Sequence, residues 1–121
     1  MKANKGFKAT LIILSMLVLG GCASKQTTFY WGEYESLIYD MYIEPGSADS
    51  TTQISTLLAD IQKAEAKNIP IAPGIHAHLG YMYALEGNID QSIAEFATEK
   101  SLYPESATLI DGMLKRLEGT N

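Results

Sequence analysis

The chain has 121 residues, a formal net charge of −5 at pH 7 and a single cysteine, Cys22. Acidic residues outnumber basic residues by fourteen to nine. This balance argues against a nucleic-acid-binding surface, because such surfaces need clustered Lys and Arg. A single cysteine excludes an internal disulfide, and a chain of this length suits one small domain with one hydrophobic core.

The first 21 residues have the three-part pattern of an export signal. Three lysines in residues 2–8 precede an apolar run at 9–19, and two glycines then lead into Cys22. The apolar run is about half of the ~20 residues that a helix needs to cross a bilayer. A cleaved signal peptide is therefore favoured over a membrane span.

The exit from this run, Leu19-Gly20-Gly21-Cys22, resembles the lipobox of bacterial lipoproteins. That resemblance implies cleavage before Cys22, a diacylglycerol on its sulfur and an acyl chain on the new amino terminus. Several acyl chains hold a protein at a membrane where one chain is marginal. By resemblance to lipoprotein sorting in Gram-negative bacteria, Ala23 implies the outer membrane, on its periplasmic face. An ordinary secretory signal with a chance cysteine is the alternative.

Without residues 1–21 the chain keeps all fourteen acids and six basic residues, a net charge of −8 over 100 residues. Such a field favours a cationic partner over anionic lipid, although solubility is the usual role of surface acids. Residues 22–28 are read as the lipidated cysteine and a polar tether, which reaches about 20 Å at most. The domain, residues 29–119, is therefore expected to lie close to the lipid surface.

Five amphipathic helices are predicted in residues 29–119, with no convincing strand, so the predicted fold class is all-α. Gly32 is the predicted N-cap of the first helix, and Ser50 with Gln53 forms a capping box for the second. The dipeptide Pro45-Gly46 predicts the turn between them. The residues at helical spacing in these two helices are Tyr34, Leu37, Ile38 and Met41, then Ile54, Leu57, Leu58, Ile61 and Ala64.

Proline and glycine residues separate the three later helices. Pro73 is predicted to begin the third helix, Gly87-Asn88 to end it, and Asn88 to cap the fourth. Pro104 ends the fourth helix, and Ser106 is predicted to begin the fifth. The apolar residues assigned to these helices are Ile75, Leu79, Met82 and Tyr83, then Ile89, Ile93, Phe96 and Ala97, then Leu109, Ile110, Met113, Leu114 and Leu117.

A period of 34 residues relates the third helix to the fifth, and the spacing resembles the tetratricopeptide repeat. His76, Leu79 and Tyr83 are matched 34 residues later by Ile110, Met113 and Leu117. The residues that stand at the spacings of the motif are Leu79-Gly80, Tyr83, Gly87, Phe96 and Pro104. The resemblance implies two helical hairpins plus a closing helix. Gly80 and the small Ser92 are expected to let the third and fourth helices approach closely.

The match to the repeat has departures at three positions and in the length of the first hairpin. His76 replaces the usual Trp, Ser92 the first Ala and Glu99 the second. Glu99 stands where the motif has a small residue, so we expect looser packing there or a pairing of Glu99 with Lys115 or Arg116. The first hairpin is seven residues longer than the motif, and the surplus falls in residues 43–50.

Nearly all of the chain after the tether also resembles a small bacterial lipoprotein family whose domain has no known function. The strings that carry this resemblance are Tyr30-Trp31-Gly32-Glu33-Tyr34-Glu35, Met41-Tyr42, Asp60-Ile61-Gln62-Lys63-Ala64, Pro73-Gly74, His76-Ala77-His78-Leu79-Gly80-Tyr81 and Tyr103-Pro104-Glu105-Ser106. The resemblance implies a gene neighbourhood with other envelope lipoproteins, including one that resembles the curli secretion channel. It implies no activity.

No enzyme, metal or cofactor site is expected beyond the acyl groups on the cysteine. His76 and His78 are two positions apart on a helix, about 200° around its axis, so they cannot bind one ion from the same face. Ser92 is a helix-packing position rather than a nucleophile beside a base. Paired carboxylates such as Glu95 and Glu99 are predicted to be exposed.

Two surfaces are candidates for binding a partner protein. In tetratricopeptide repeats the concave face of the first helix of each pair makes such contacts, and the corresponding residues are Ala77, His78, Tyr81 and Ala84. The other surface is aromatic. Trp31 and Tyr34 are expected in the core, which leaves Tyr30, Tyr39 or Tyr42 partly exposed, at the lipid headgroups or at a partner hot spot.

We therefore expect an outer-membrane lipoprotein that docks other envelope lipoproteins or a secretion-channel-like protein, as an accessory factor of an assembly or secretion complex. The alternative is a structural lipoprotein that self-associates and has no dedicated ligand groove.

Overall fold

The computed structural model describes residues 27–119 of the protein. The predicted signal at 1–21, the lipidation residue Cys22 and most of the tether lie outside the described residues. Five α-helices and one short 3₁₀-helix form the described part, so the prediction of an all-α fold with five helices is confirmed. The helices are α1 Tyr34–Ile43, α2 Ser50–Ala66, α3 Ile75–Leu85, α4 Ile89–Leu102 and α5 Ala107–Glu118, with the 3₁₀-helix at Pro104–Ser106.

Each helix packs against the next along the chain, and α3 contributes to both clusters of the core. The first cluster joins α1, α2 and α3 through Leu37, Leu57 and Leu79, among others. The residues at the centre of the second cluster, which joins α3, α4 and α5, are Ala77, Phe96 and Ile110. The described members of both clusters lie within residues 29–117.

Outside the helices, the chain before α1 is held to the chain before α3. Tyr30 and Ile71 form a single isolated parallel β-bridge. The Tyr30 N–H donates to the Pro70 carbonyl at 2.7 Å, and the Ala72 N–H donates to the Tyr30 carbonyl at 3.1 Å. Within residues 27–119, no helix is both long enough and apolar enough to cross a membrane.

The missing side chain of Gly80 allows a close approach of α3 and α4. A Cβ at this position would lie 2.8 Å from the ring of Phe96 and 3.1 Å from the carbonyl oxygen of Ser92. Ser92 and Phe96 are both fully buried. The prediction that Gly80 and Ser92 bring the two helices together is confirmed.

Two of the predicted helix caps are wrong. Gly32 is not the N-cap of α1, because it adopts φ +50° and the helix begins after Glu33. The second helix is capped by Asp49, whose carboxylate accepts a first-turn N–H, and Ser50 is already helical. Asp caps a helix as well as Ser does, so the sequence pattern did not distinguish adjacent positions. Asn88 is the N-cap residue of α4, but its side chain makes no capping hydrogen bond.

The fourth helix buries only part of the predicted stripe, since Phe96 is buried as predicted but Ile93 and Ala97 are not. Ile93 is 46% exposed and Ala97 is exposed, whereas Ser92, Phe96 and Glu99 face the core. Two of these three buried residues are polar. Hydrophobic periodicity therefore predicted burial of the apolar residues Ile93 and Ala97 instead of Ser92 and Glu99.

We predict that Gly80→Ala destabilises the domain. Overpacking costs about 1–3 kcal/mol, while the gain in helix propensity is at most about 1 kcal/mol, so a net loss of up to about 2 kcal/mol is expected in the free energy of unfolding. Urea denaturation measures it.

Gly112→Ala in α5 is the matched control for this substitution. The nearest atom to its new Cβ is a guanidinium nitrogen of Arg116 at 3.5 Å, an ordinary contact. Its stability should be unchanged or rise by up to about 1 kcal/mol. If the Gly80 variant were as stable as this control, the close approach of α3 and α4 would not constrain the fold.

Candidate functional site

The start of α3 is capped by a carboxylate from α4. Its own N-cap residue, Gly74, has no side chain that could accept the first N–H groups of the helix. Glu99 Oε1 accepts the N–H of Gly74 at 2.8 Å, and Glu99 Oε2 accepts the N–H of Ala77 at 3.3 Å. Glu99 is 1% exposed. Its charge is stabilised by these bonds and by the positive end of the helix dipole.

This arrangement corrects two predictions about Glu99. It is buried rather than exposed, and its carboxylate is bonded to the backbone of α3 rather than paired with Lys115 or Arg116. The predicted packing defect is absent from this position because the longer side chain reaches the helix start. Pro73 lies one residue before the N-cap and not in the helix.

The first hairpin has a similar cap. Asp60 of α2 is fully buried, and its Oδ2 accepts the N–H of Glu33 at 2.8 Å, at the start of α1. Gly32 leaves the space for this carboxylate, because any Cβ there would overlap with it. The Nζ of Lys63 lies 3.8 Å from the other oxygen of Asp60. In each hairpin, an acid of the second helix therefore bonds to the start of the first.

His76 is buried between α3 and α4, as predicted. Its Nδ1 lies 2.6 Å from Oε2 of Glu95 on α4. Glu95, predicted to be exposed, is only partly exposed because it faces this histidine. The His76–Glu95 pair thus joins α3 to α4. Among residues 27–119, no group of three or more His, Cys, Asp and Glu side chains could hold a metal ion.

His78 lies in a polar network among α1, α2 and α3 and not on an open face, contrary to the prediction. Its Nε2 is 2.8 Å from Gln53 Oε1, and its Nδ1 is 3.3 Å from the Tyr34 hydroxyl. Because the Gln53 amide nitrogen donates to the Ala48 carbonyl, the amide oxygen faces His78. We therefore assign the proton of neutral His78 to Nε2, which leaves Nδ1 to accept from Tyr34.

Burial affects the ionisation of both aromatic members of this network. Desolvation lowers the pKa of His78 below its ordinary value. Desolvation, and then the negative charge of Glu99, raise the pKa of Tyr34, so its hydroxyl remains a donor. The network is therefore built for a neutral imidazole.

Tyr81 and Ala84 line an apolar groove of about 450 Å³ between α3, the start of α4 and α5. The residues that define this α3–α5 groove are Tyr81, Ala84, Leu85, Ile89, Phe96, Met113, Arg116 and Leu117. Tyr81 is 47% exposed and Leu85 is 56% exposed. Ala77, predicted on the same face, is buried against Phe96 and Ile110 because α5 covers it. That placement was wrong.

The aromatic residues before and within α1 divide between the interior and the surface. Tyr30 is partly buried, with the Lys67 ammonium 4.9 Å from the centre of its ring. Tyr39 and Tyr42 are 63% and 82% exposed. Trp31, predicted in the core, is 47% exposed. Leu37 is the one buried residue of α1, so only a narrow stripe of this helix packs against the core.

A second groove, which the sequence did not predict, lies between α1, its following turn and α2. Its volume is about 520 Å³. The residues that define this α1–α2 groove are the acids Glu33, Asp40 and Glu44, the hydroxyl residues Ser36, Ser47, Thr52 and Thr56, and the apolar residues Leu37, Tyr39, Ile43 and Ala48. The sequence signal that could have indicated this groove is one short helix that carries both acids and more apolar residues than one face can bury.

The comparisons with known proteins give a family and no activity. The family model described as Domain of unknown function (DUF4810) matches residues 28–113. No curated protein and no solved structure matches the chain.

We predict that Glu99→Ala destabilises the domain by about 2–4 kcal/mol, because the buried N–H of Ala77 and the partly buried N–H of Gly74 lose a charged acceptor. Glu99→Gln keeps one acceptor oxygen and should lose roughly half as much. Urea denaturation gives the free energies, and hydrogen exchange should accelerate at the amides of Gly74 and Ala77. Glu65→Ala, an exposed α2 substitution, should stay within about 0.5 kcal/mol of the native protein. An equally small loss for Glu99→Ala would refute the capping role.

We also predict a stability loss in mild acid that depends on His78. The folded-state pKa of His78 is lowered, so the unfolded chain takes up a proton first as the pH falls through about 6.5. The contribution of His78 is complete above that pH and is lost as the pH falls toward the folded-state pKa. His78→Gln should therefore flatten the fall in unfolding free energy between pH 7.5 and 5.5.

The pKa of His78 can also be measured directly from the NMR signals of its ring protons. In an NMR titration, the His78 imidazole should titrate below a free histidine, with His76→Gln used to assign the two rings. An ordinary or elevated His78 pKa would contradict the neutral network.

Proposed function

The chain belongs to the DUF4810 family, whose description carries no activity, and from that premise we propose a function that rests on surfaces. The protein acts as an interaction module anchored at the periplasmic face of the outer membrane. It docks another envelope lipoprotein or a secretion-channel-like protein, as an accessory factor of an assembly or secretion complex. It works by binding and not by catalysis.

The α3–α5 groove is the single observation that carries this proposal. Tyr81 and Leu85 expose about half of their surface at its edge, and Met113 and Leu117 of α5 are only partly buried. Tyrosine at the edge of an apolar depression is typical of hot spots in protein interfaces. The groove fits apolar side chains projecting from a partner segment.

The succession of helices supports a repeat architecture of the tetratricopeptide type. Each helix packs on its neighbours in chain order, Gly80 permits the close α3–α4 contact, and Gly87 turns the chain with φ +74°. In such repeats the first helix of each pair lines the binding face. Tyr81 and Ala84 on α3, facing α5, correspond to that position.

The proposed anchor is Cys22 with its diacylglycerol and N-acyl chain. The described domain is fixed immediately after the tether, because the ring of Phe29 packs edge to face on Tyr103 with 6.0 Å between ring centres. The tether is therefore no longer than residues 23–28, about 20 Å when fully extended. A partner that binds in the groove would therefore lie no further from the lipid than the tether length plus the diameter of the domain.

The proposal is tested by site-specific crosslinking in a Gram-negative envelope. A photoreactive residue at Ala84 should crosslink a partner in the outer-membrane fraction, and Tyr81→Ala should reduce that product about tenfold or more. Leu109→Ala is the control, because Leu109 is an exposed apolar residue of α5 outside the groove. Cys22→Ser should move the protein to the soluble periplasmic fraction.

Each part of the proposal fails on its own result. A Cys22→Ser protein that stays membrane-bound would refute the anchor. A crosslinked product that Tyr81→Ala leaves unchanged would refute the groove. A product that contains only a second copy of this chain would favour the self-associating structural lipoprotein instead.

A further inference from the structure

The α1–α2 groove differs from the α3–α5 groove in its charge. Residues 26–62 contain six acidic residues and no Lys or Arg, whereas the following residues, 63–119, contain five basic residues and eight acids. Lys63 and Lys67, the two lysines of the first hairpin, lie at the carboxyl end of α2, so the part of the hairpin before them carries only acidic charges. Three of its acids, Glu33, Asp40 and Glu44, line the groove directly.

Within residues 27–119, none of these groove carboxylates forms an ion pair with a Lys or Arg. The Lys–carboxylate pairs in the described part of the chain are Lys63 with Asp60 and Lys100 with Asp111. The Lys63 pair lies at the buried cap of α1, and the Lys100 pair joins α4 to α5. The acids of the groove therefore present an uncompensated negative potential to solvent.

Exposed apolar side chains lie beside the carboxylates of the α1–α2 groove. Tyr39 and Ile43 line the groove and are 63% and 60% exposed. A helix that serves only as a solvated cover would carry polar residues at such positions. Exposed apolar surface rimmed by charge marks a contact surface instead.

The wall of the groove is built by the part of the chain that exceeds the repeat motif. Ile43 at the end of α1 and Glu44, Ser47 and Ala48 of the α1–α2 connection all line it. A direct turn between the helices would leave this side open. The lengthened stretch at residues 43–50 thus shapes the surface that carries both the charge and the exposed apolar groups.

We infer that the α1–α2 groove binds a basic amphipathic segment of a partner protein, with Lys or Arg facing Asp40 and Glu44 and apolar side chains on Tyr39 and Ile43. An anionic lipid surface would be repelled by the same carboxylates, so a bilayer is the disfavoured occupant. This surface is distinct from the α3–α5 groove, with which it shares no lining residue.

The test uses residues 23–121, which include every described core residue, and a fluorescent helix-forming peptide composed only of Leu and Lys. Fluorescence anisotropy should show binding at about 50 mM salt that weakens strongly at about 500 mM. A peptide with Glu at each Lys position should not bind. Asp40→Asn combined with Glu44→Gln should weaken binding of the Lys peptide about two- to tenfold, and Tyr39→Ser should weaken it at both salt concentrations.

Matched variants separate a local site from overall charge. Glu35→Gln combined with Asp90→Asn removes the same charge from exposed positions outside the groove and should leave the affinity within about twofold. Tyr81→Ala should have no effect, so failure here is distinguishable from failure of the α3–α5 groove.

Three results would overturn the inference. Equal binding of the Lys and Glu peptides would remove the charge argument. Equal weakening by the groove and control pairs would show that only net charge matters. Binding of vesicles of phosphatidylethanolamine and phosphatidylglycerol that Tyr39→Ser abolishes, without peptide binding, would assign the surface to the membrane.

Discussion

The buried carboxylate of Glu99 is the constraint on which the arrangement of helices depends. The third helix belongs to both core clusters, yet it begins at a glycine that cannot cap it. Its first N–H groups would be left without acceptors in the interior, which costs more than a hydrogen bond gains. Because the acceptor comes from α4, satisfying these groups also fixes how far α4 can slide along α3.

The contact at Gly80 completes this restraint. The cap acts at one end of α3, and Gly80 meets Phe96 and Ser92 further along the same pair of helices. Two separated contacts define both the position and the angle of one helix against another. In the first hairpin, the bond from Glu33 to Asp60 acts at only one point, and a single residue of α1 is buried. The first hairpin is therefore less extensively packed and exposes more of its apolar surface.

The sequence predicted the helices well and their ends poorly. Periodicity, Pro45-Gly46, Gly87 and Pro104 define five helices because these signals act within a few residues. The caps of α1 and α3 come from residues 27 and 25 positions away, so no local spacing rule reaches them. The burial of Glu99 on α4 escaped detection for the same reason, since Glu99 is buried only because α3 supplies its partners.

The packing of α3 also decides which candidate residues stay at the surface. Ala77 lies under α5, and His78 is bonded to α1 and α2 through Tyr34 and Gln53, which leaves Tyr81 and Ala84 beside the groove. The α1–α2 groove draws on none of these residues, and it combines acidic side chains with apolar ones. Two surfaces without a shared residue would let two partners of different chemistry bind one domain together. That capacity agrees with the accessory role proposed above.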